Sequence, residues 1–480
     1  MKQHGQKLKI AFYGLLLIIW ASIVTGSSVY AQINKEKKID KTFTGKQVLE
    51  VNHKYGDLEV RASNDNTVKV DARLSIEAKT EEDAQKVIDN FTMDFQEAGN
   101  KLTITTKFES ITWNTINGRT SITFKDGTKV KGIENIELFF TLYVPKLQEL
   151  TLSNKYDDIH IYDDLTTNLS VVLNSGVFQG ENIKGNVSLD AKYSKMKLKN
   201  TSGNADINLY DTDVEMGNAQ AVKLFSKYSG ITMGAINGIT HESYDDNVSI
   251  GVNTGELSLK TKYSEYTIKG ATKANINSYD DVIDVGNVKG ALDIETKYSN
   301  FKVGSFTNAT IISNDDDFVM GGGAKSTLKA ESKYSEFRID KLDQVEFTSS
   351  YDDQFEIDQL GIFKASTKYG EFTIGQLEKS LSMVTNDDNL TVKQLGSGFT
   401  GATLGGKYST FNLNIPSGLK YQLDAKLTYG KISYPEANFD LSVHIEKGST
   451  KEIKGKVKGA SDASPKITIE DAYDCEVYLN

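Results

Sequence analysis

Lys262-Tyr263-Ser264-Glu265-Tyr266-Thr267-Ile268 is one copy of a stretch that returns along the chain. It recurs as Lys297-Tyr298-Ser299-Asn300-Phe301-Lys302-Val303, as Lys333-Tyr334-Ser335-Glu336-Phe337-Arg338-Ile339 and as Lys368-Tyr369-Gly370-Glu371-Phe372-Thr373-Ile374. Further copies start at Lys54, Lys155, Lys192, Lys227 and Lys407. The steps are 35 (297 − 262), 36 (333 − 297) and 35 (368 − 333) residues. A fixed period of this size is the signature of a repeat architecture. Halfway between the copies lies an acidic counterpart: Tyr244-Asp245-Asp246, Tyr279-Asp280-Asp281, Asn314-Asp315-Asp316, Tyr351-Asp352-Asp353 and Asn386-Asp387-Asp388. Aligning apolar positions sets Tyr279 opposite Lys262, with half-steps of 17 (279 − 262) and 18 (297 − 279) residues.

The unit is therefore a coil of 17 to 18 residues, alternating between a basic and an acidic type. Both types alternate apolar and polar residues (Phe337-Arg338-Ile339, Phe355-Glu356-Ile357), followed by a second apolar pair such as Val345 and Phe347 or Ala309 and Ile311. That is the pattern of half-buried strands. Four apolar side chains do not offset the entropy of fixing a whole coil, so coils must stack, each pairing with its neighbours through parallel strands. The fold class is all-β: a β-solenoid (parallel β-helix) over residues 151–434, with an N-terminal β-rich cap carrying one short α-helix. Starts near 155, 174, 192, 210, 227, 244, 262, 279, 297, 314, 333, 351, 368, 386, 407 and 428 give sixteen coils. At about 4.8 Å per coil the rod is roughly 75 Å long. A β-propeller is the competing architecture, but its blades run to about 40–45 residues and the half-period has no place in one.

A net charge of −10 argues against nucleic acid as a partner, since phosphate binding needs clustered Lys and Arg. The single cysteine, Cys475, leaves no internal disulfide, so packing alone must hold the fold.

In chain order, Lys2, Lys7 and Lys9 precede an apolar run from Ile10 to Val24, and Val29-Tyr30-Ala31 precedes Gln32. This reads as a signal peptide over 1–31. An anchor helix is the alternative, but the run is short of the roughly 18–20 residues a span needs. After cleavage the chain is not expected to be an integral membrane protein. Residues 32–150 depart from the period. Thr80-Glu81-Glu82-Asp83 is a capping-box-like start, and Ala84, Val87, Ile88 and Phe91 follow at helical spacing. This helix near 80–91 is expected to cover the open end of the solenoid. Asn117-Gly118 and Asp126-Gly127 are hairpin turn signals. Past residue 434 the segment to Pro465 reads as irregular. Lys466–Ile469 and Glu476–Leu479 then read as closing strands, Tyr473-Asp474 echoing the acidic motif in a last coil.

Val51-Asn52-His53-Lys54-Tyr55-Gly56-Asp57-Leu58-Glu59-Val60, the strand Phe140–Pro145, Leu152-Ser153-Asn154-Lys155-Tyr156-Asp157-Asp158 and the Lys-Tyr-Ser/Gly copies together resemble the exported bacterial "putative adhesin" β-strand-repeat family, related to the head-GIN adhesin domain. The resemblance covers nearly all of the mature chain and implies a β-helical rod outside the inner membrane. Most copies here carry Ser where that family's Lys-Tyr-Gly-Asp unit has Gly. The family has no established site motif, so it implies no binding residues.

Two columns carry the candidate chemistry. The Asp pairs (Asp245 and Asp246, Asp280 and Asp281, Asp315 and Asp316, Asp352 and Asp353) would suit Ca²⁺ as an alternative, since calcium takes six to eight oxygens. They also invite comparison with the paired acids of glycoside hydrolases. Their repetition favours a corner motif, in which Asp accepts backbone N–H bonds of its own turn. Like coils also stand roughly 9.6 Å apart, too far to share one ion. No cofactor is expected. Tyr193, Tyr228, Tyr263, Tyr298, Tyr334 and Tyr369 form one column, which suits a glycan or a surface protein, or a ladder packed on itself and on Lys stems. The Ser or Gly after each Tyr suggests a corner. His53, His160, His241 and His444 show no metal-ligand spacing. Gly321-Gly322-Gly323 opens no helix and reads as a turn, and Trp113 is either a contact or a packing residue.

The expected function is that of a secreted, non-enzymatic β-solenoid acting as an adhesin or a surface or envelope binding protein. It would reside in the periplasm, on the outer envelope surface or outside the cell. The alternatives are a structural or sensory envelope component without its own ligand and, less favoured, a polysaccharide-active β-helix enzyme.

Overall fold

The computed structural model describes residues 33–480 except Glu109 and Asn117. The expected signal peptide and half of the Asn117-Gly118 turn lie outside the described residues. Residues 149–413 form a parallel β-solenoid. A typical coil has a first strand of six or seven residues, a sharp corner, and a second strand of four or more, as in Glu256–Lys262 and Glu265–Ala271. Each strand pairs in parallel with its counterpart one coil on, and Lys262 faces Tyr279 in that register. A short third side follows, anchored by one inward residue such as Ile183 or Ile236. Further along, the third side joins both strands into one extended run, as in Glu336–Tyr351, Gln354–Lys368 and Glu371–Asn386.

The alternation does what the pattern requires. Phe337, Ile339, Phe355 and Ile357 point inward and are buried, as are Val345, Phe347, Ala309 and Ile311. Because the register is parallel and unshifted over most coils, like residues stack on like. Phe301, Phe318 and Phe337 lie face to face, with centroids 5.2 and 4.8 Å apart. One apolar column thus runs from the cap to the C-terminal coil.

The N-terminal cap is an excursion from the first coil. Val48–Asn52 and Asp57–Ala62 stack directly on Glu149–Lys155 and Ile159–Ile161, so residues between them in sequence leave the rod and return. The excursion closes both strand edges. Lys101–Phe108 pairs in parallel with Val48–Asn52 and is itself covered by antiparallel Phe91–Ala98. Lys129–Val144 covers Asp57–Ala62, and antiparallel Thr67–Ala78 and Ile33–Thr44 follow. Reversing strand direction and ending on a lysine-rich strand blunts the template that a parallel edge would offer.

The helix occupies Glu81–Asp89, with Thr80 Oγ1 accepting from Asp83 N–H as its N-cap. It does not cover the open end as expected. Ala84, Val87 and Ile88 pack into a separate small core with Leu74, Ile76, Phe108 and Phe124. The solenoid end is sealed by Val68, Val70, Leu102 and Ile104, because the strands carrying them continue the coil stack.

The C-terminus departs from the sequence reading twice. Residues 435–465 hold an antiparallel hairpin, Phe439–Lys447 with Thr450–Val457, turning at Gly448. Phe439, Leu441, Val443 and Ile445 do alternate with polar residues, a strand signal that the irregular reading passes over; only Phe439 of the four is buried. Second, the final segment does not form the outermost coil. Lys466–Tyr473 lies between Gly401–Lys407 and Gln422–Thr428, and Glu476–Leu479 lies between Thr410–Leu413 and Lys431–Ser433. The coil expected at 428 is therefore one place further from the one at 407. No helix among the described residues is long and apolar enough to cross a membrane.

The candidate functional site is the tyrosine and aspartate corner

Every coil start read from the sequence is followed by one residue of positive φ. In basic coils that residue is tyrosine (Tyr156, Tyr193, Tyr228, Tyr263, Tyr298, Tyr334, Tyr369, Tyr408 and Tyr429), and in acidic coils the first aspartate (Asp211, Asp245, Asp280, Asp315, Asp352 and Asp387). At the remaining start it is Ser175. The corner is thus the Tyr itself rather than the Ser or Gly after it. Its backbone is held from the next coil: Tyr263 N–H donates to the Tyr279 carbonyl at 3.1 Å, and Asp280 N–H to that of Lys297 at 2.9 Å.

The left-handed conformation points the tyrosines outward. The six predicted site tyrosines are 45–56% exposed. They do not touch one another, being two coils apart. Contact runs through the tyrosines that end the first strands of acidic coils. Tyr193, Tyr210, Tyr228, Tyr244, Tyr263, Tyr279 and Tyr298 form an unbroken edge-to-face ladder with centroids 5.4–5.7 Å apart. Tyr334, Tyr351 and Tyr369 continue it after a gap at Asn314. Lys262 rests on it, with Nζ 5.7 Å from the Tyr279 ring centroid. At the N-terminal end Tyr156 stacks on Tyr55 (5.8 Å) and Tyr55 on Trp113 (5.6 Å). Trp113 therefore packs as part of the aromatic column while staying 40% exposed.

The two acids of each Asp pair separate. The first sits exposed at the corner, while Asp246, Asp281, Asp316, Asp353 and Asp388 are buried. Each buried carboxylate bridges two backbone amides, one of its own turn and one of the coil before. Asp281 accepts from Ser264 N–H at 2.7 Å on Oδ1 and from Tyr279 N–H at 2.9 Å on Oδ2. Thr261 and Ser278 hydroxyls donate to the same two oxygens. The serine of the basic motif alternates with this aspartate in one buried column: Ser264 Oγ accepts from Asp246 N–H and donates to the Lys262 carbonyl. One acid of each pair is thus engaged by its own turn and by the coil before it, and the other faces solvent, so the two do not converge as calcium ligands would. No group of three or more His, Cys, Asp and Glu among the described residues is placed to hold a metal ion.

Burial pushes all five inner carboxyls upward against these donated bonds. Asp316, with three donors (Ser299 N–H, Asn314 N–H and the Thr296 hydroxyl), is pushed up to about 6. A folded value above the unfolded one means the folded chain holds this proton more tightly. Stability from this group therefore rises as pH falls from about 6 toward 3.8. Asp316→Asn lacks that gain. From pH 7 to pH 4 the wild type is expected to gain on the variant by up to about 3 kcal/mol. Paired urea titrations at each pH measure the difference, and a difference flat with pH would refute it.

Two histidines are interior. His53 contacts Thr106 Oγ1 and the Gly56 carbonyl, both at 3.0 Å, and burial holds it down to about 4. His241 lies between Tyr266 Oη (2.8 Å) and Ser226 Oγ (2.7 Å), and Ser226 Oγ donates to Asp246 Oδ2. Since Ser226 has one proton and gives it to Asp246, His241 Nε2 donates and Nδ1 accepts from Tyr266. Ser226, His241 and Asp246 thus share a buried network, but the serine hands its proton to the aspartate and solvent does not reach it. His160 lies beside Asp158 and the Tyr162 ring, and His444 beside Glu436 and Glu446. Gly321 to Gly323 end a strand in a turn, with Gly322 at φ +66°.

Several grooves run along the outside, and two bear on the candidate site. One, of about 660 Å³, crosses the first strands of the early coils. Its asparagines are spent on the stack: Asn168 and Asn186 Oδ1 accept from Asn186 and Asn204 N–H at 3.0 Å. The other, of about 670 Å³, lies on the corner beside the tyrosine ladder, lined by Asp213, Tyr228, Asp245, Tyr263, Glu265 and Asp280. Sequence reasoning named the tyrosines and corner acids but missed Asp213 and Glu265. The signal was available: both occupy the residue just past the buried Thr212 and Ser264 of the motif.

The fold and this corner define an all-β repeat protein of the parallel β-solenoid class, with an aromatic and acidic ladder along one edge. No family model matches the chain, and no curated protein does. Among solved structures, a "putative cell adhesion protein" from Clostridium sporogenes aligns at 8% identity and a TM-score of 0.16, covering 93% of this chain and 100% of that one. A "putative lipid binding protein" from Parabacteroides distasonis aligns at 9% identity and a TM-score of 0.16, covering 80% of this chain and 97% of that one. Likeness at that level carries no argument about what this chain does.

Proposed function

We propose that the chain is an exported, non-enzymatic binding rod of the adhesin type, acting on a glycan or a protein at a surface or in the cell envelope. One observation carries this: nine exposed or half-exposed tyrosines hold a left-handed backbone. Tyrosine in that conformation costs roughly 1–2 kcal/mol, and Asn or Gly would relieve it. A corner tyrosine inside the ladder, such as Tyr263, touches two rings, and at about 0.5–1.5 kcal/mol each these contacts roughly offset the strain, so stability alone gives little net reason to keep tyrosine there. A ligand-facing role does. The repeated corner, without a singular constellation of acids, fits binding better than catalysis.

The test is binding of residues 33–480 to immobilised glycans, peptidoglycan and matrix proteins, with and without calcium. It is compared with a variant carrying Tyr228→Asn, Tyr263→Asn, Tyr298→Asn and Tyr334→Asn. Asparagine tolerates the left-handed backbone, so the variant is expected to fold with an unchanged circular dichroism spectrum. Binding is expected to fall at least about 10-fold, or roughly 1.4 kcal/mol. Undiminished binding would remove the tyrosines from the site. The second reading, a structural envelope component without its own ligand, is favoured by the ladder's internal ring contacts, and no binding by either protein would support it.

A further inference from the structure

Some outer charges on this rod pair from coil to coil. Lys197 meets Glu215, Lys260 meets Glu242 and Lys302 meets Asp284. The corner groove holds charges of one sign only. Asp213, Asp245, Glu265 and Asp280 are all exposed, and no lysine or arginine lines the groove with them. Lys262 of the motif lies instead over the ring of Tyr279. This groove is thus lined by tyrosine rings and carboxylates with no cation among its lining residues. A groove with tyrosine rings beside unpaired carboxylates is complementary to ammonium or guanidinium groups, which both ring faces and carboxylates attract.

The spacing narrows the class further. Asp245 and Asp280 are equivalent residues two coils apart, as are Tyr228 and Tyr263. Two coils rise about 9.4–9.8 Å. A polyproline II helix advances about 9.3 Å in its three-residue turn, returning every third side chain to the same face. A β-strand does not: every third side chain of a strand falls on the opposite face. Polyproline II segments also dock characteristically in aromatic-lined grooves.

We infer that the groove between Tyr228 and Tyr263 docks an extended polyproline II peptide that carries a lysine or arginine at every third residue. One cation of the peptide lies over Asp245 and the next over Asp280, with Glu265 on the coil between them, and its proline rings lie against the tyrosines. This rests on the binding reading above and names a ligand class for it.

The experiment measures fluorescence anisotropy of a labelled peptide of about four Pro-Pro-Lys repeats with the 33–480 chain. A second peptide has the same composition with its lysines clustered at one end. A variant carrying Asp245→Asn, Glu265→Gln and Asp280→Asn keeps the shape of each side chain, and Asn suits the corner backbone. The in-phase peptide is expected to bind about 10-fold more tightly than the clustered one. The variant is expected to lose about 10-fold in affinity, and the wild-type affinity to fall with added salt. Equal binding of both peptides, or binding indifferent to the variant, would overturn the inference. If no basic peptide binds while the tyrosine variant still loses a ligand from the panel, this inference fails and the binding reading stands. If neither experiment finds a ligand, both fail.

Discussion

Asp281→Ala is expected to destabilise the coils around it by about 3–5 kcal/mol, and Asp281→Asn to fail as a rescue. The carboxylate is buried and accepts from Ser264 N–H on one oxygen and Tyr279 N–H on the other. Alanine leaves both amides without partners, at about 1–3 kcal/mol each, and opens a small void. The Ser278 hydroxyl has another neighbour, Ser299 Oγ at 2.9 Å, so the amides dominate the loss. Asparagine fits the space, but whichever way its amide is turned, its NH₂ faces one of the two N–H donors. The exposed neighbour gives the contrast. Asp280→Asn keeps a residue suited to the left-handed corner and is expected within about 0.5 kcal/mol of wild type. Equilibrium urea unfolding gives the magnitudes, and amide hydrogen exchange shows whether the loss stays within neighbouring coils, as nearest-neighbour stacking requires. Equal effects of the two asparagine variants would refute the bridging role.

That contrast also explains why the motif is Asp-Asp. The first position needs a residue that tolerates positive φ, and the second needs two acceptors for two amides. Asp246, Asp281, Asp316, Asp353 and Asp388 all make the same bridge, from an amide two residues back to one in the preceding coil. The period, the parallel register and the inward residues were legible because every coil must repeat the same alternation against its neighbour. Tyr279 opposite Lys262 could be read from apolar spacing alone. The orientation of the tyrosines could not, because tyrosine is a poor left-handed residue and nothing in the Lys-Tyr-Ser triplet announces one. The telling clue was the other half-period, where the same corner carries Asp, a residue that does visit that conformation. Strand order at the C-terminus was not legible either. Ile467 and Ile469 present the same inward pattern as any coil, so local sequence does not say which neighbours they meet. The helix misled for a related reason: Ala84, Val87 and Ile88 show that it buries a face, not what it buries it against.

A chain ending at Pro465 is expected to lose its whole C-terminal end and to aggregate, although only fifteen residues (466–480) are removed. Those residues are an interior layer. Ile467, Ile469, Ala472, Cys475, Val477 and Leu479 are all buried between the coil of residues 401–413 and the coil of residues 422–433. Tyr473 sits between the rings of Tyr408 and Tyr429, at 5.8 and 5.5 Å. Removing the layer forfeits on the order of 10 kcal/mol of apolar burial. It also leaves two facing strand edges, of Gly401–Lys407 and Gln422–Thr428, separated by the missing layer and each unpaired on that side. The outer coil and its hairpin then have nothing to dock on, while the newly exposed parallel edge is a template for other chains. Limited proteolysis between 414 and 457, with size-exclusion chromatography, measures both consequences. A synthetic peptide of residues 466–480 supplied in trans is expected to restore protection, since the vacant layer matches it in register on both sides. A truncated chain that stays monomeric and as protease-resistant as the full one would show that the outer coil docks without the layer. The topology also orders assembly: residues 422–433 pair with no earlier coil, so they stay unlocked until the last segment of the chain enters.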